Sequence, residues 1–182
     1  MYGAAHTHAG KDVYVLPDHD AAGTLWHCIW DIGGIDTIAN HSAKGCTIDL
    51  RAATLADRAG GGGYVSGVDG VHGGYTIANG AQIENATGGA SNDVLIGNAG
   101  NNRLEGGRGH DILAGYGGAD TFVFNTTASS GDRILDFQKG QDHIAVHDVG
   151  NWHIHGHDIV LDNGVTLVTA QCALHTGDVV VF

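Results

Sequence analysis

The sequence predicts an all-β chain in which a parallel, two-sided coil of short strands is capped at its ends by flanking antiparallel, β-sandwich strands. Three observations lead there. Residues 88–123 fall into four consecutive nonamers that each open on glycine: GGASNDVLI, GNAGNNRLE, GGRGHDILA and GYGGADTFV. Outside them the chain is punctuated by short runs rich in β-branched and aromatic residues. Amphipathic helical spacing is hard to find, and 31 glycines against one proline favour tight turns over helices.

The strand signals run in order as DVYVL (12–16), TLWHCIW (24–30), TIDL (47–50) and YTIA (75–78), then TFVF, RILDF and HIAVH around and after the last nonamer. Near the end, DIVLDNGVTLV sets Asn163-Gly164 between two alternating runs, which predicts a hairpin with a type I′ turn. Within a nonamer, six glycine-rich residues can form a tight turn with carbonyls aimed inward, because glycine accepts positive φ. The remaining three form a short strand. Strand side chains alternate in direction, so position eight, occupied by Leu95, Leu104, Leu113 and Phe122, faces inward. Two nonamers make one coil, and every second unit then stacks at roughly 4.7–4.9 Å. That places Asp93 over Asp111 and Asn102 over Asp120. Two coils are too few to stand alone, so the strands from about 24 to 87 and from 121 to 182 are expected to cap them.

Stacked carboxylates repel unless a cation lies between them. Calcium accepts about six to eight oxygens, drawn readily from Asp side chains and backbone carbonyls, and this pattern supplies both. The nonamer is similar to G-G-x-G-x-D-x-U-x, the hemolysin-type repeat of RTX proteins, which form a calcium-binding parallel β-roll. That resemblance implies sites built from positions two, four and six of one turn with one, three and six of the turn above. A first site would use Gly89, Ser91 and Asp93 with Gly106, Arg108 and Asp111. A second would use Asn98, Gly100 and Asn102 with Gly115, Gly117 and Asp120, and should be weaker because Asn102 stands where a carboxylate is usual. A metal-free β-solenoid with glycine-rich turns is the alternative reading.

The 20 acidic residues against 8 basic ones give a net charge of −12, which argues against nucleic acid as a partner and suits a chain neutralised by divalent cations. The N-terminus lacks a charged region followed by an apolar stretch, and no run approaches the length of a membrane span, so neither a conventional secretory signal nor membrane insertion is expected. Cys28, Cys46 and Cys172 are an odd number with no C-x-x-C spacing. They read as buried free thiols, with a Cys28–Cys46 bridge as the alternative.

Beyond the repeats the chain resembles the C-terminal domain of the serralysins, secreted bacterial zinc metalloproteases. "YGAA" at 2–5, "WDIGGIDT" at 30–37, "QIENATGG" at 82–89 and "DFQKGQDHI" at 136–144 are similar to family segments in the same order. The resemblance implies two further calcium sites ahead of the roll. One would use Gly10, Asp12, Asp31, Gly33 and Asp36 with the carbonyl of His8; the other would use Gly34, Asp36 and Glu84. Asp12 and Gln82 stand where the family has threonines; a calcium ligand tolerates the first change, whereas the second alters one contact. By the same resemblance, residues 1–23 read as a leader or linker from an upstream catalytic domain and 24–182 as a single β-roll domain. The terminal "DVVVF" (178–182) then reads as the signal of a type I (ABC) exporter, or else as a final β-strand.

The zinc peptidase motif H-E-x-x-H is missing, since the two glutamates, Glu84 and Glu105, do not follow histidines. The expectation is therefore a non-catalytic, extracellular calcium module that supports secretion and stability of a serralysin-like protease, with no zinc of its own. A stand-alone adhesin or polysaccharide-binding module is the alternative. Among the 13 histidines, His153, His155 and His157 alternate and would share one strand face, from which zinc or copper could be bound.

Overall fold

The computed structural model describes residues 10–31, 33–57, 61–125, 130–147 and 151–181. In chain order its strands are β1 (Val13–Val15), β2 (Trp26–Ile29), β3 (Thr37–Ala39), β4 (Cys46–Asp49), β5 (Gly67–Val68) and β6 (Gly74–Ile77). The repeat region supplies β7 (Asn85–Thr87), β8 (Val94–Ile96), β9 (Arg103–Glu105), β10 (Ile112–Ala114) and β11 (Thr121–Asn125). After it come β12 (Asp132–Ile134), β13 (His143–His147), β14 (Trp152–His155), β15 (Asp158–Leu161), β16 (Thr166–Ala170) and β17 (Val179–Val181). Nearly all of them belong to two long sheets, ordered β1-β3-β7-β9-β11-β13-β17 and β14-β15-β16-β12-β10-β8-β4-β5, with β2 and β6 paired apart.

The nonamers coil as expected. β8 pairs in parallel with β10, and β9 with β11, so that residues 18 apart face each other. The roll is longer than the repeats, however. β1, β3, β4, β7, β12, β13 and β17 all continue the parallel ladders: β7 meets β9 at the same 18-residue step, the steps into β12 and β13 take 21 and 22 residues, those from β4 and β3 take 47 and 48, and the outermost steps, β1 to β3 and β13 to β17, take 24 and 35. The flanking strands thus extend the roll. Among the described residues, antiparallel pairing occurs at β4–β5, in the β14–β15–β16 meander and at the single bridge between Ser66 and Tyr75.

Extension follows from the core. Ile38, Ala86, Leu104, Phe122 and Ile144 are register partners along one sheet, and Ile48, Leu95, Leu113 and Ile134 along the other. All are buried, and each of the larger ones contributes about 1.5–3 kcal/mol by leaving water. An inward apolar residue on every coil makes each turn of the roll a seat for the next, with or without a glycine-opened repeat beside it.

The long excursion between β4 and β7 is tied back by Arg51. Its guanidinium donates to both carboxylate oxygens of Asp49, at 2.9 and 2.6 Å, and lies 3.7 Å over the Tyr64 ring. It also donates to the Tyr116 hydroxyl at 3.1 Å, so this one side chain joins the excursion to the last nonamer.

Several local expectations change. The β15–β16 hairpin forms, but its turn is not type I′. Leu161 N–H donates to Val165 O and Gly164 N–H to Leu161 O, leaving a three-residue loop whose positive φ falls on Gly164 (85°) and not on Asn163. His157 sits in the turn between β14 and β15, so only His153 and His155 share the exposed strand face. All three cysteines are free; Cys46 is buried, Cys172 half-buried and Cys28 exposed, so Cys28 is not the buried thiol expected. β1 lies within the stretch read as a leader, and "YGAA" and His8 fall outside the described residues.

Candidate metal centres

Two ladders of acidic side chains run along the roll at the point where each turn becomes a strand. On one side Asp93 N–H donates to Asp111 Oδ1 and Asp111 N–H to Asp132 Oδ1, both at 2.8 Å, while Cys46 N–H donates to Asp93 Oδ1 at 2.7 Å. On the other, Asn102 N–H donates to Asp120 Oδ1 at 2.8 Å and Asp120 N–H to Asp142 Oδ1 at 3.0 Å. Position six of each turn is therefore fixed by the coil above. The second acidic oxygen faces its own turn, where Gly89 N–H donates to Asp93 Oδ2 at 2.6 Å and Gln138 N–H to Asp142 Oδ2 at 2.7 Å.

Oδ2 of Asp111 and Oδ2 of Asp120 receive nothing, although both residues are buried. A buried carboxylate oxygen without a partner is costly, and the cost shows in the acid strength. Burial, with repulsion from Asp132 and Asp93, pushes Asp111 up to about 7 against the opposing Asp93 N–H. Burial, with repulsion from Asp142 and Asp136, pushes Asp120 up to about 7. Each carboxylate needs a proton or a cation.

The expected carbonyl donors line the same turns. Gly89 O lies against the next coil, where Arg108 N–H donates to it at 3.0 Å, and Gly117 N–H donates to Asn98 O at 3.2 Å. Glycine is required where the coils close on each other: a Cβ on Gly106 would collide with the Asp111 carboxylate, and one on Gly109 (φ +125°) with the Ser91 carbonyl. Gly100 and Gly115 abut the other ladder, facing Gln82 and the Asp120 carboxylate. Members of each predicted set thus neighbour one another across one coil step, with Gly89 O and Asn98 O already accepting backbone N–H groups. They differ at Asn102, whose amide donates to Glu84 O at 3.1 Å and Asn98 Oδ1 at 3.2 Å while its Oδ1 accepts from Asn98 N–H at 2.7 Å.

Ahead of the roll, Asp12, Asp31 and Asp36 each place a carboxylate oxygen within 4.8 Å of the others. Asp12 precedes β1, while Asp31 and Asp36 lie at the two ends of the connection from β2 to β3, so two segments converge. Tyr14 Oη donates to Asp31 Oδ2 at 2.7 Å, Asp12 N–H to Asp36 Oδ1 at 2.8 Å and Gly33 N–H to Asp31 Oδ1 at 3.2 Å. Gly34 (φ +142°) packs directly on the Gly10 carbonyl, and Asp36 N–H donates to Glu84 Oε2 at 2.8 Å. Asp36 Oδ2 is a third buried oxygen without a hydrogen bond, and burial, with repulsion from Asp31 and Glu84, raises the Asp36 pKa.

These are carboxylate and carbonyl oxygens, the donor set that suits a hard cation with flexible coordination. Sequence reasoning missed Asp132, Asp136 and Asp142 as members of the ladders. Asp136 accepts from Gly115 N–H at 2.9 Å and Tyr116 N–H at 2.8 Å. For Asp136 and Asp142 the signal lay in "DFQKGQDHI" (136–144), outside the nonamer frame, and Asp132 precedes that segment. The histidine trio does not assemble: among the described residues, the group of three or more His, Cys, Asp or Glu able to hold an ion is Asp12–Asp31–Asp36.

The sequence model of one protein family, described as peptidase M10 serralysin C terminal, matches residues 1–173. The chain is similar to serralysin G of Dickeya chrysanthemi, 35% identical over 179 residues covering 86% of this chain and 35% of the relative. It is also similar to metalloprotease AprA of Pseudomonas entomophila (strain L48), 35% identical over 168 residues, with 79% and 33% covered. The chain thus spans about a third of the length of these relatives.

Proposed function

The chain belongs to the serralysin C-terminal family, and from that membership we propose that it is a non-catalytic calcium-binding module of a secreted, serralysin-like metalloprotease. On this reading it passes a type I exporter unfolded and folds outside the cell when calcium reaches its acidic ladders. The observation that carries the proposal is that buried carboxylate oxygens on Asp36, Asp111 and Asp120 accept no hydrogen bond.

Calcium supplies positive charge and an adaptable shell of about six to eight oxygens. In the roll, Asp93 with Asp111 and Asn102 with Asp120 would hold it between coils, with the carbonyls of Gly89, Ser91, Gly106 and Arg108 at the first site. Those of Asn98, Gly100, Gly115 and Gly117 would serve the second. Asp132 and Asp142 extend the two ladders by one coil each. Ahead of the roll, Asp12, Asp31 and Asp36 with the Gly10 and Gly33 carbonyls form one site, to which His8 would add a carbonyl; Gly34, Asp36 and Glu84 form its neighbour. Extracellular calcium modules bind with dissociation constants of about 10⁻⁴–10⁻³ M. A site exposed to tenfold its dissociation constant adds about 1.4 kcal/mol to the folded state.

The test is far-UV circular dichroism with excess EDTA and again after calcium is restored. We expect loss and recovery of the β signal; a spectrum indifferent to complete chelation would sink the proposal.

A further inference from the structure

β14 is the outermost strand of its sheet, and among the described residues it pairs with β15 alone. Natural edge strands are blunted by lysine, proline, a bulge or a covering segment. Trp152–His155 carries neither lysine nor proline, and its ladder with β15 keeps one register throughout. The turn at Gly156 and His157 closes on the register pair His155 and Asp158. Because the bonds of an antiparallel ladder alternate along a strand, Ile154 then turns its N–H and C=O toward the open edge.

Strand alternation sorts the side chains. Trp152 and Ile154 are half-buried and lie opposite the buried Leu161 and Ile159, whereas His153 and His155 stand exposed on the other face. Asp158 and Asp162 flank them there. Asp162 Oδ1 lies 3.7 Å from His153 Nδ1, and Asp158, opposite His155, accepts from the Thr169 hydroxyl at 2.7 Å. Each imidazole thus has a carboxylate neighbour across the ladder, the arrangement that orients a histidine for a metal.

Two imidazoles are half a shell. Ions of the zinc class take about four ligands, with nitrogens at about 2.0–2.1 Å. Among the described residues of one chain, no third His, Cys, Asp or Glu joins this pair in a group able to hold an ion. A second copy of the strand supplies what is missing. Paired antiparallel about a dyad at Ile154, His153 of one copy stands opposite His155 of the other, with Cβ atoms about 4.5–5.5 Å apart. The reverse pair lies beside it, so four imidazoles share one face while the two Ile154 side chains meet on the opposite face. A net charge of −12 on each copy opposes the approach, and a bound cation offsets it. We propose that β14 is a metal-dependent self-association edge, at which His153 and His155 of two copies hold one divalent transition ion of the zinc class. Imidazole nitrogen suits such ions and the oxygen ladders do not, so this site is separate from the calcium reading and does not rest on it.

The experiment is sedimentation equilibrium of the full chain in millimolar calcium, with and without micromolar zinc, beside calorimetric titration with zinc chloride. We expect a monomer without zinc, a dimer with it, and one ion bound per two chains. His153→Gln with His155→Gln should abolish the zinc-dependent dimer and weaken zinc binding at least several-fold, with the calcium-dependent dichroism unchanged. His157→Ala, in the turn, should leave dimer and affinity as they are. A chain that stays monomeric in zinc, or that binds one ion per chain, would overturn the shared site. A dimer formed equally without zinc or by the double glutamine variant would overturn the metal's part in it. Loss of the dimer in His157→Ala equal to that in the double variant would overturn the assignment to the strand face.

Discussion

At Asp111 the fold holds a carboxylate away from water with Oδ1 accepting from Asp93 N–H and Oδ2 accepting from nothing, and Asp120 repeats the arrangement over Asn102. Both titrate near 7 in the fold against 3.8 ordinarily. A carboxyl whose folded pKa is raised favours the folded chain while protonated. Without metal, that stability is present in full below about pH 4 and is lost as pH rises through 7, by up to about 1.4 kcal/mol per pH unit for each group. The EDTA-treated chain should therefore show more ordered β signal at pH 5 than at pH 7.5; the opposite order would contradict it. With calcium the sign reverses, because protons and ions compete for the same oxygens, and affinity measured by calorimetric titration should fall as pH drops below 7. The same titration separates the two roll sites. Asp111→Ala should weaken binding, whereas Asn102→Asp should tighten it, since a carboxylate there adds negative charge and frees Glu84 O and Asn98 Oδ1, now taken by the Asn102 amide, to face a cation. Asp93, Asp111 and Asp120 were legible because the 18-residue step is written in the nonamers. Asp132 and Asp142 were not, because their coils take 21 and 22 residues and break the period while keeping the contact.

Among the elements, the short strands were legible from β-branched runs, but their role was not. The flanks read as caps because nothing in TIDL or HIAVH announces parallel pairing; pairing is decided by the inward residue, and Ile48 and Ile144 match Leu95 and Phe122 in the register. The two apolar columns predict strong coupling between coils. Leu104→Ala, at a fully buried position between Ala86 and Phe122, should cost about 2–5 kcal/mol in the calcium-bound chain, read from denaturant unfolding. The hairpin gives a smaller and more pointed case. Asn-Gly correctly marked the reversal, yet the bulged β15–β16 register leaves the left-handed conformation to Gly164 alone. Gly164→Ala should cost about 1–2 kcal/mol, while Asn163→Gly should bring no gain, because Asn163 is not held at positive φ. A stabilising Asn163→Gly would mean the turn is type I′ after all.

For the whole molecule, a net charge of −12 spread along a glycine-rich chain opposes collapse, which on the proposed reading suits passage through a channel before folding. The folded end makes the proposed export signal testable without dismantling the roll. The last described residues form β17, which closes the sheet on β13; Val179 is half-buried there, but Val180 and Val181 are exposed, and Asp178 is held by an N–H bond from His175 at 2.8 Å. Removing residues 178–182 would strip both the proposed signal and a strand, so a loss of secretion would have two causes. Charge placed on the exposed residues has one. Val180→Glu with Val181→Glu changes what an exporter meets on the unfolded chain and leaves the buried contacts of β17 in place. We expect several-fold slower secretion through a co-expressed type I exporter, with calcium-dependent dichroism unchanged. Asp93→Ala should do the reverse, disturbing calcium-dependent folding while export continues. Undiminished secretion of the double glutamate variant would leave "DVVVF" as the closing strand of the roll and nothing more.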